Sequence, residues 1–266
     1  MHVLAEDLSF PEGPAFAPDG SLWCVELKGG NLVRWHAGAL ERFATDGEPN
    51  GLAFDHRGVA WFCDAGQGAI RTFDPATNTF TTIFDRIDDV PLFRPNDLAF
   101  DAAGNLVFTC PGDSRTEPTG YVCCLAPDGT LTKIANQMYF PNGLAFTADG
   151  NELVIAETYR HRLWRGRWVR TQWLDAQPWV DLGAPPGPDG MALGANGVIH
   201  VAVYRHGQIK RISAAGEMLT PYELPGQNPT NAAFDPSGKL GLVVTEAERG
   251  LLLSLPEAGA GAPLIG

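Results

Sequence analysis

The 266-residue chain contains no run of about 20 apolar residues, so no segment of it reads as a helical membrane span. Its first residues, MHVLAEDLSFPEG, have neither a basic flank nor an apolar core, and no signal peptide is expected. Positive charge is scarce: 19 Lys and Arg face 31 Asp and Glu. The resulting net charge of −12 disfavours nucleic acid and anionic membranes, both of which reward basic side chains. Cysteine is sparse and odd in number, at Cys24, Cys63, Cys110, Cys123 and Cys124, without the CxxC spacing of a zinc or redox site. Buried, reduced thiols in a cytoplasmic protein are the expectation. GxSxG, HExxH and P-loop signatures are missing, which leaves serine-hydrolase, zincin and nucleotide-binding mechanisms without support. Long amphipathic helical patterns are missing too.

What is abundant is punctuation, with 31 Gly and 21 Pro spaced between short apolar runs. One phrase recurs six times: PEGPAFAPDG from Pro11, PNGLAFDHRG from Pro49, PNDLAFDAAG from Pro95, PNGLAFTADG from Pro141, PDGMALGANG from Pro188 and PTNAAFDPSG from Pro229. Successive prolines are 38, 46, 46, 47 and 41 residues apart, a period that belongs to solenoids or propellers. Each phrase is followed by a second apolar run (SLWCVE, VAWFCD, ELVIAE), a turn, a third run (GNLVRWH, GAIRTFD, GQIKRIS) and a more polar fourth. Four short antiparallel strands repeated six times predict an all-β, six-bladed propeller in one domain over 1–266. The ring is expected to close by pairing the segment near HVLAED with the C-terminal strands. The Trp-rich segment WRGRWVRTQW is expected to form an outer strand pair of blade four.

In such a ring the first strand of every blade lines the central channel. The residue after each proline then faces one axis: Glu12, Asn50, Asn96, Asn142, Asp189 and Thr230. For a single copy, a turn role for Asn, Asp or Thr suffices. Glu is not a turn residue, and the set offers oxygen donors with two carboxylates, the chemistry a hard divalent cation requires. The same end of the channel receives Arg94, Asp97, the insert PGDSRTEPTG (111–120) and the loops carrying His161 and His206. Glu26, Asp64 and Glu157 are expected beside it as acidic neighbours, giving a mouth of mixed charge. Asp19, Asp101, Asp149 and Asp235 belong to structural turns at the opposite end.

With these phrases in place, the chain resembles the SMP-30/gluconolactonase/LRE-like family over nearly its whole length. The pieces that carry the resemblance are FPEGPAF with Glu12, RPNDLAFDAAG with Arg94 and Asn96, FPNGLAF with Asn142, and GPDGMAL with Asp189. The resemblance implies one divalent metal ion on Glu12, Asn142 and Asp189, with Ca²⁺ first and Zn²⁺, Mn²⁺, Mg²⁺ or Fe²⁺ as alternatives. It also implies Asn96 beside the metal, Arg94 on substrate oxygens, and hydrolysis of a small sugar lactone. An acidic substrate residue is implied after the second strand of blade three, where Asp113 is the nearest match in a remodelled loop. Asp189 is the candidate general base, with His206 or His161 as the alternative. A monomer or weak homodimer is expected. The competing readings are another reaction on the same metal platform, such as phosphotriester hydrolysis or isomerisation, and a non-catalytic propeller scaffold.

Overall fold

Six four-stranded antiparallel sheets form the ring in a computed structural model that describes residues 1–36, 38–183 and 187–262. Blade one runs through Pro11–Phe16, Leu22–Glu26, Asn31–His36 and Ala39–Ala44, and blade two through Pro49–Phe54, Ala60–Asp64, Ala69–Asp74 and Thr79–Phe84. Blade three is Leu98–Phe100, Leu106–Cys110, Gly120–Leu125 and Leu131–Met138. Blade four is Pro141–Phe146, Glu152–Glu157, Arg162–Val169 and Gln172–Asp181, so the Trp-rich segment is its outer pair as expected. Blade five is Pro188–Leu193, Ile199–Val203, Gln208–Ile212 and Met218–Glu223.

Blade six is built from both ends of the chain. Pro229–Phe234, Leu242–Glu246 and Leu251–Leu255 are completed by His2–Ala5, which pairs antiparallel with Leu251–Leu255. The ring therefore closes as the sequence predicts. A polar clasp adds to the seal, because the Thr230 hydroxyl donates to the Pro11 carbonyl at 2.7 Å. One feature lay outside the six-fold pattern: a short hairpin, Arg86–Ile87 with Val90–Pro91, between blades two and three.

The core lies between blades rather than inside any one of them. Trp23, Val25 and Leu32 of blade one pack on Leu52, Phe62 and Phe73 of blade two, and equivalent clusters recur around the ring. Side chains such as Trp23 and Phe62 are fully buried, each contributing about 1.5–3 kcal/mol of hydrophobic stabilisation. At the far end of the blades the Asp/Gly turns are held as expected. The Asp19 carboxylate accepts the Ser21 N–H at 2.8 Å, and Asp101 accepts those of Ala103 and Asn105 at 2.9 and 2.8 Å.

A second repeated device fixes the end of the ring where the polar column sits. In four blades a carboxylate closing the second strand accepts a backbone N–H from the loop entering the same blade. The bonds run from Ser9 N to Glu26, Glu48 N to Asp64, Tyr139 N to Glu157 and Asn228 N to Glu246, at 3.1, 3.0, 2.7 and 2.9 Å. Arg42 also donates two hydrogen bonds to Glu26, Arg71 pairs with Asp64 at 2.8 Å, and Arg162 pairs with Glu157 at 2.8 Å. Glu26, Asp64 and Glu157 are buried and fully engaged, so they are loop anchors and not the acidic mouth residues the sequence suggests. Their charge is spent on the scaffold.

Candidate functional site

The innermost strands are not regular where the column residues sit. Pairing slips between Glu12 and Ala15, Pro49 and Leu52, Pro141 and Leu144, Pro188 and Met191, and Pro229 and Asn231. Such a bulge redirects side chains and commonly lies beside functional sites. The backbone just ahead is unusual as well: Phe10, Arg94 and Phe140, each preceding a column proline, have φ of 59°, 51° and 61°. Left-handed backbone at bulky residues costs about 1–3 kcal/mol and persists where the surroundings over-determine it. Here it delivers Glu12, Asn96 and Asn142 to the channel.

Glu12, Asn142 and Asp189 come together. Asn142 lies close enough to Asp189 to lower its carboxyl, and burial followed by the repulsion of Asp189 and Asp97 pushes the Glu12 carboxyl well above the usual range. Asp189 is pushed the same way by burial and then by Asp97, with Asn142 opposing. The Asn142 amide is oriented from behind, donating to Thr158 Oγ1 at 3.2 Å while that hydroxyl donates to the Pro188 carbonyl at 2.7 Å. Asn50 and Thr230 are buried in the same ring, and Asn96 is half-buried with its carbonyl accepting the Gly51 N–H at 2.6 Å.

Asp97, which the sequence places on the rim, is instead buried in the channel. The position following the polar column explains it: Gly13, Gly51, Asp97, Gly143, Gly190 and Asn231. Asn231 reaches across the axis from the opposite blade and donates to the Asp97 carboxylate at 3.2 Å. A Cβ at Gly51 would overlap Asp97, and one at Gly190 would overlap Asn231, so those glycines make room for a polar septum. Burial raises the Asp97 carboxyl to about 6. This six-membered pattern lies in the sequence one residue beyond the polar column.

The remaining expected residues sit further out. Arg94 is half-exposed and donates to Glu48 at 2.9 Å, as a rim charge with a carboxylate partner would. Asp113 is 76% exposed and pairs with Arg115 at 3.5 Å. His206 is half-buried, its backbone N–H donating to the Val203 carbonyl at 3.1 Å. The loops expected on the rim, 111–120, 159–161 and 204–206, bring further groups to this end of the channel. Tyr204 is raised by burial and then by Asp189, with Glu12 and Tyr159 also in range. Arg115 lies over the rings of Phe140 and Tyr159 at 5.7 and 5.9 Å, which holds a guanidinium near that tyrosine.

A hard cation fits these side chains. Buried Glu12 is raised by the half-buried Asp189, a carbonyl amide stands beside them, and no Lys or Arg contributes to the shift of either acid. Among the described residues no group of three or more His, Cys, Asp and Glu is arranged to hold a metal, so a site here depends on the Asn142 amide oxygen. An all-oxygen set suits Ca²⁺ better than the softer transition metals.

The SMP-30/gluconolactonase/LRE-like region matches residues 10–248. A gluconolactonase of Zymomonas mobilis is 26% identical, the match covering 90% of this chain and 77% of the relative. A pentonolactonase of Haloferax volcanii, XacC, is 29% identical over 89% of this chain and 81% of its own. Among solved structures, a calcium-binding regucalcin from Agrobacterium tumefaciens aligns with a TM-score of 0.86 at 25% identity, covering 99% of this chain and 96% of that one. A gluconolactonase of Xanthomonas campestris aligns with a TM-score of 0.84 at 24% identity, covering 94% and 86%. Six blades, the repeated phrases and the family match over nearly the whole chain agree: this chain belongs to the SMP-30/gluconolactonase/LRE-like family.

Proposed function

We propose that the protein hydrolyses a small sugar lactone to its aldonic acid at the channel mouth, using one divalent ion held by Glu12, Asn142 and Asp189. The observation that carries this reading is the pair of neighbouring carboxylates, Glu12 buried and Asp189 half-buried, beside an amide at the channel, in a family whose relatives include a gluconolactonase and a pentonolactonase. When bound, a divalent cation supplies Lewis-acid polarisation of the ester carbonyl and offsets the two negative charges. Calcium is favoured by the oxygen-only donor set.

The chain's own side chains do the rest. Asp189 accepts a proton from the water whose oxygen bonds to the carbonyl carbon. The ring C–O bond then breaks, and the ring oxygen leaves as a hydroxyl after taking up that proton. Burial raises the proton affinity of Asp189, which favours this role, and ligation of a cation opposes it. Asn96, Tyr204 and the Arg115–Tyr159 pair border the mouth with hydrogen-bonding groups that suit a polyhydroxylated neutral ring. Arg94, Asp113 and His206 remain outer contacts in this proposal. The Arg94 guanidinium would have to share itself between Glu48 and substrate.

The proposal takes the chain as one domain, acting in the cytoplasm as a monomer or weak homodimer. All five cysteines are buried and unpaired, which suits a reducing compartment. Initial rates on glucono-, galactono-, xylono- and arabinonolactone, compared with an N-acyl homoserine lactone and a paraoxon-like triester, test the substrate class. Preference for the acyl lactone or the triester overturns the sugar assignment and leaves the metal reading standing. No turnover of any of them favours a scaffold or an isomerase.

A further inference from the structure

The polar septum divides the channel, and the side away from Glu12 and Asp189 is a separate cavity of about 460 Å³. Its outer wall is the last residue of each inner strand: Phe16, Phe54, Phe100, Phe146, Leu193 and Phe234, with the alanines before them lining the space between. Its floor is Asp97 and Asn231. Asp55 and His56 are the other titratable groups on the wall, and the Asp55 carboxylate is occupied by Arg57, Val59 and Trp61. Neither Lys nor Arg is among the described residues lining the cavity.

We infer that this cavity is a second ligand site, distinct from the channel mouth, which takes an apolar monoammonium compound with its nitrogen on Asp97. Three features support that chemical class. The volume is that of a site for an organic molecule rather than a water or a bare ion. The wall is aromatic and aliphatic, matching an apolar body and attracting a cation where ring faces are presented. The floor carries a buried carboxylate whose oxygens accept one bond each from Leu98 N–H and Asn231, leaving acceptor capacity directed at the cavity. This inference rests on the cavity and its floor and does not depend on the lactonase reading.

Isothermal titration of the calcium-saturated protein with 4-phenylbutylammonium, 4-phenylbutanol and 4-phenylbutyrate tests it. The ammonium is expected to bind at least tenfold tighter than the alcohol, and the carboxylate not at all. Asp97→Asn should remove the ammonium's advantage while keeping alcohol binding. Ala233→Leu, which fills the cavity without touching its charge, should weaken both. If Asp97→Asn fails to fold, the three probes on the wild type and on Ala233→Leu decide alone. Equal binding of ammonium and alcohol, no binding, or binding indifferent to Ala233→Leu overturns the inference. So does binding that requires removal of residues 263–266, because the occupant would then be the chain itself.

Discussion

Replacing Asp97 by Asn in the metal-free protein should abolish the pH dependence of one part of its stability. Burial raises this carboxyl from its usual 3.8 to about 6. At about 1.4 kcal/mol per pH unit, ionising it in the folded state costs about 3 kcal/mol. The sign follows from proton counting. Between pH 4 and 6 the folded protein holds a proton that the unfolded chain has released, so stability falls as pH rises through this window and levels off above it. Asn at 97 removes that loss but supplies one acceptor where the carboxylate supplies two, to Leu98 N–H and Asn231. The missing bond costs about 1 kcal/mol. The variant should therefore be about 2 kcal/mol more stable than wild type at pH 8 and about 0.5 kcal/mol less stable at pH 4. At about 2–4 °C per kcal/mol for a chain of this size, the gain at pH 8 is ~4–8 °C in melting temperature. Thermal melts of both proteins in EDTA across pH 4–8 measure it. A difference of constant sign and size across that range refutes the account of the septum.

Other outcomes follow from the same residues. Saturating calcium at about 100 times its Kd should stabilise the wild type by about 2.7 kcal/mol, and EDTA should reverse it; a chelator-indifferent melt counts against the metal reading. Asp64→Ala strips Arg71 of its buried partner and Glu48 and Gln67 of their N–H acceptor, and should cost about 3–5 kcal/mol in urea unfolding with the mouth chemistry otherwise intact. Gly190→Ala drives a methyl into Asn231 and should lower the urea midpoint, more than Gly20→Ala, where a Cβ meets nothing within 4 Å but φ is 83°. Arg115→Ala should raise KM for a sugar lactone several-fold with little change in kcat if the guanidinium only orders Tyr159 and substrate oxygens.

The ring was legible in the sequence because one phrase recurs at a propeller's period and its proline always precedes an apolar run. The column from Glu12 to Thr230 was legible for the same reason: symmetry turns a linear offset into a common axis. Asp97 was misread because a rim assignment follows from its distance to the proline in a regular strand. Its backbone is held by Thr109, and glycines at the same place in four other blades leave room for its side chain to turn inward instead. Glu26, Asp64 and Glu157 show the opposite limit. Their place at strand ends was correct, but nothing local distinguishes an acid facing solvent from one folded back onto the N–H groups of the preceding loop. Arg115 matters through a contact between loops of different blades, which no spacing within one repeat encodes.

Proton release from glucono-1,5-lactone, followed at pH 7 above the spontaneous rate, is the most direct test of the central claim. Metal-free wild type and Asp189→Asn are compared before and after calcium is added back, with circular dichroism confirming that both are folded. The account predicts catalysis by the wild type only once calcium is restored, and a loss of at least a hundredfold in kcat for Asp189→Asn at saturating calcium, on the scale of about 10²–10⁴ for a lost general base. Turnover that survives EDTA, or an Asp189→Asn protein as fast as the wild type, would contradict it.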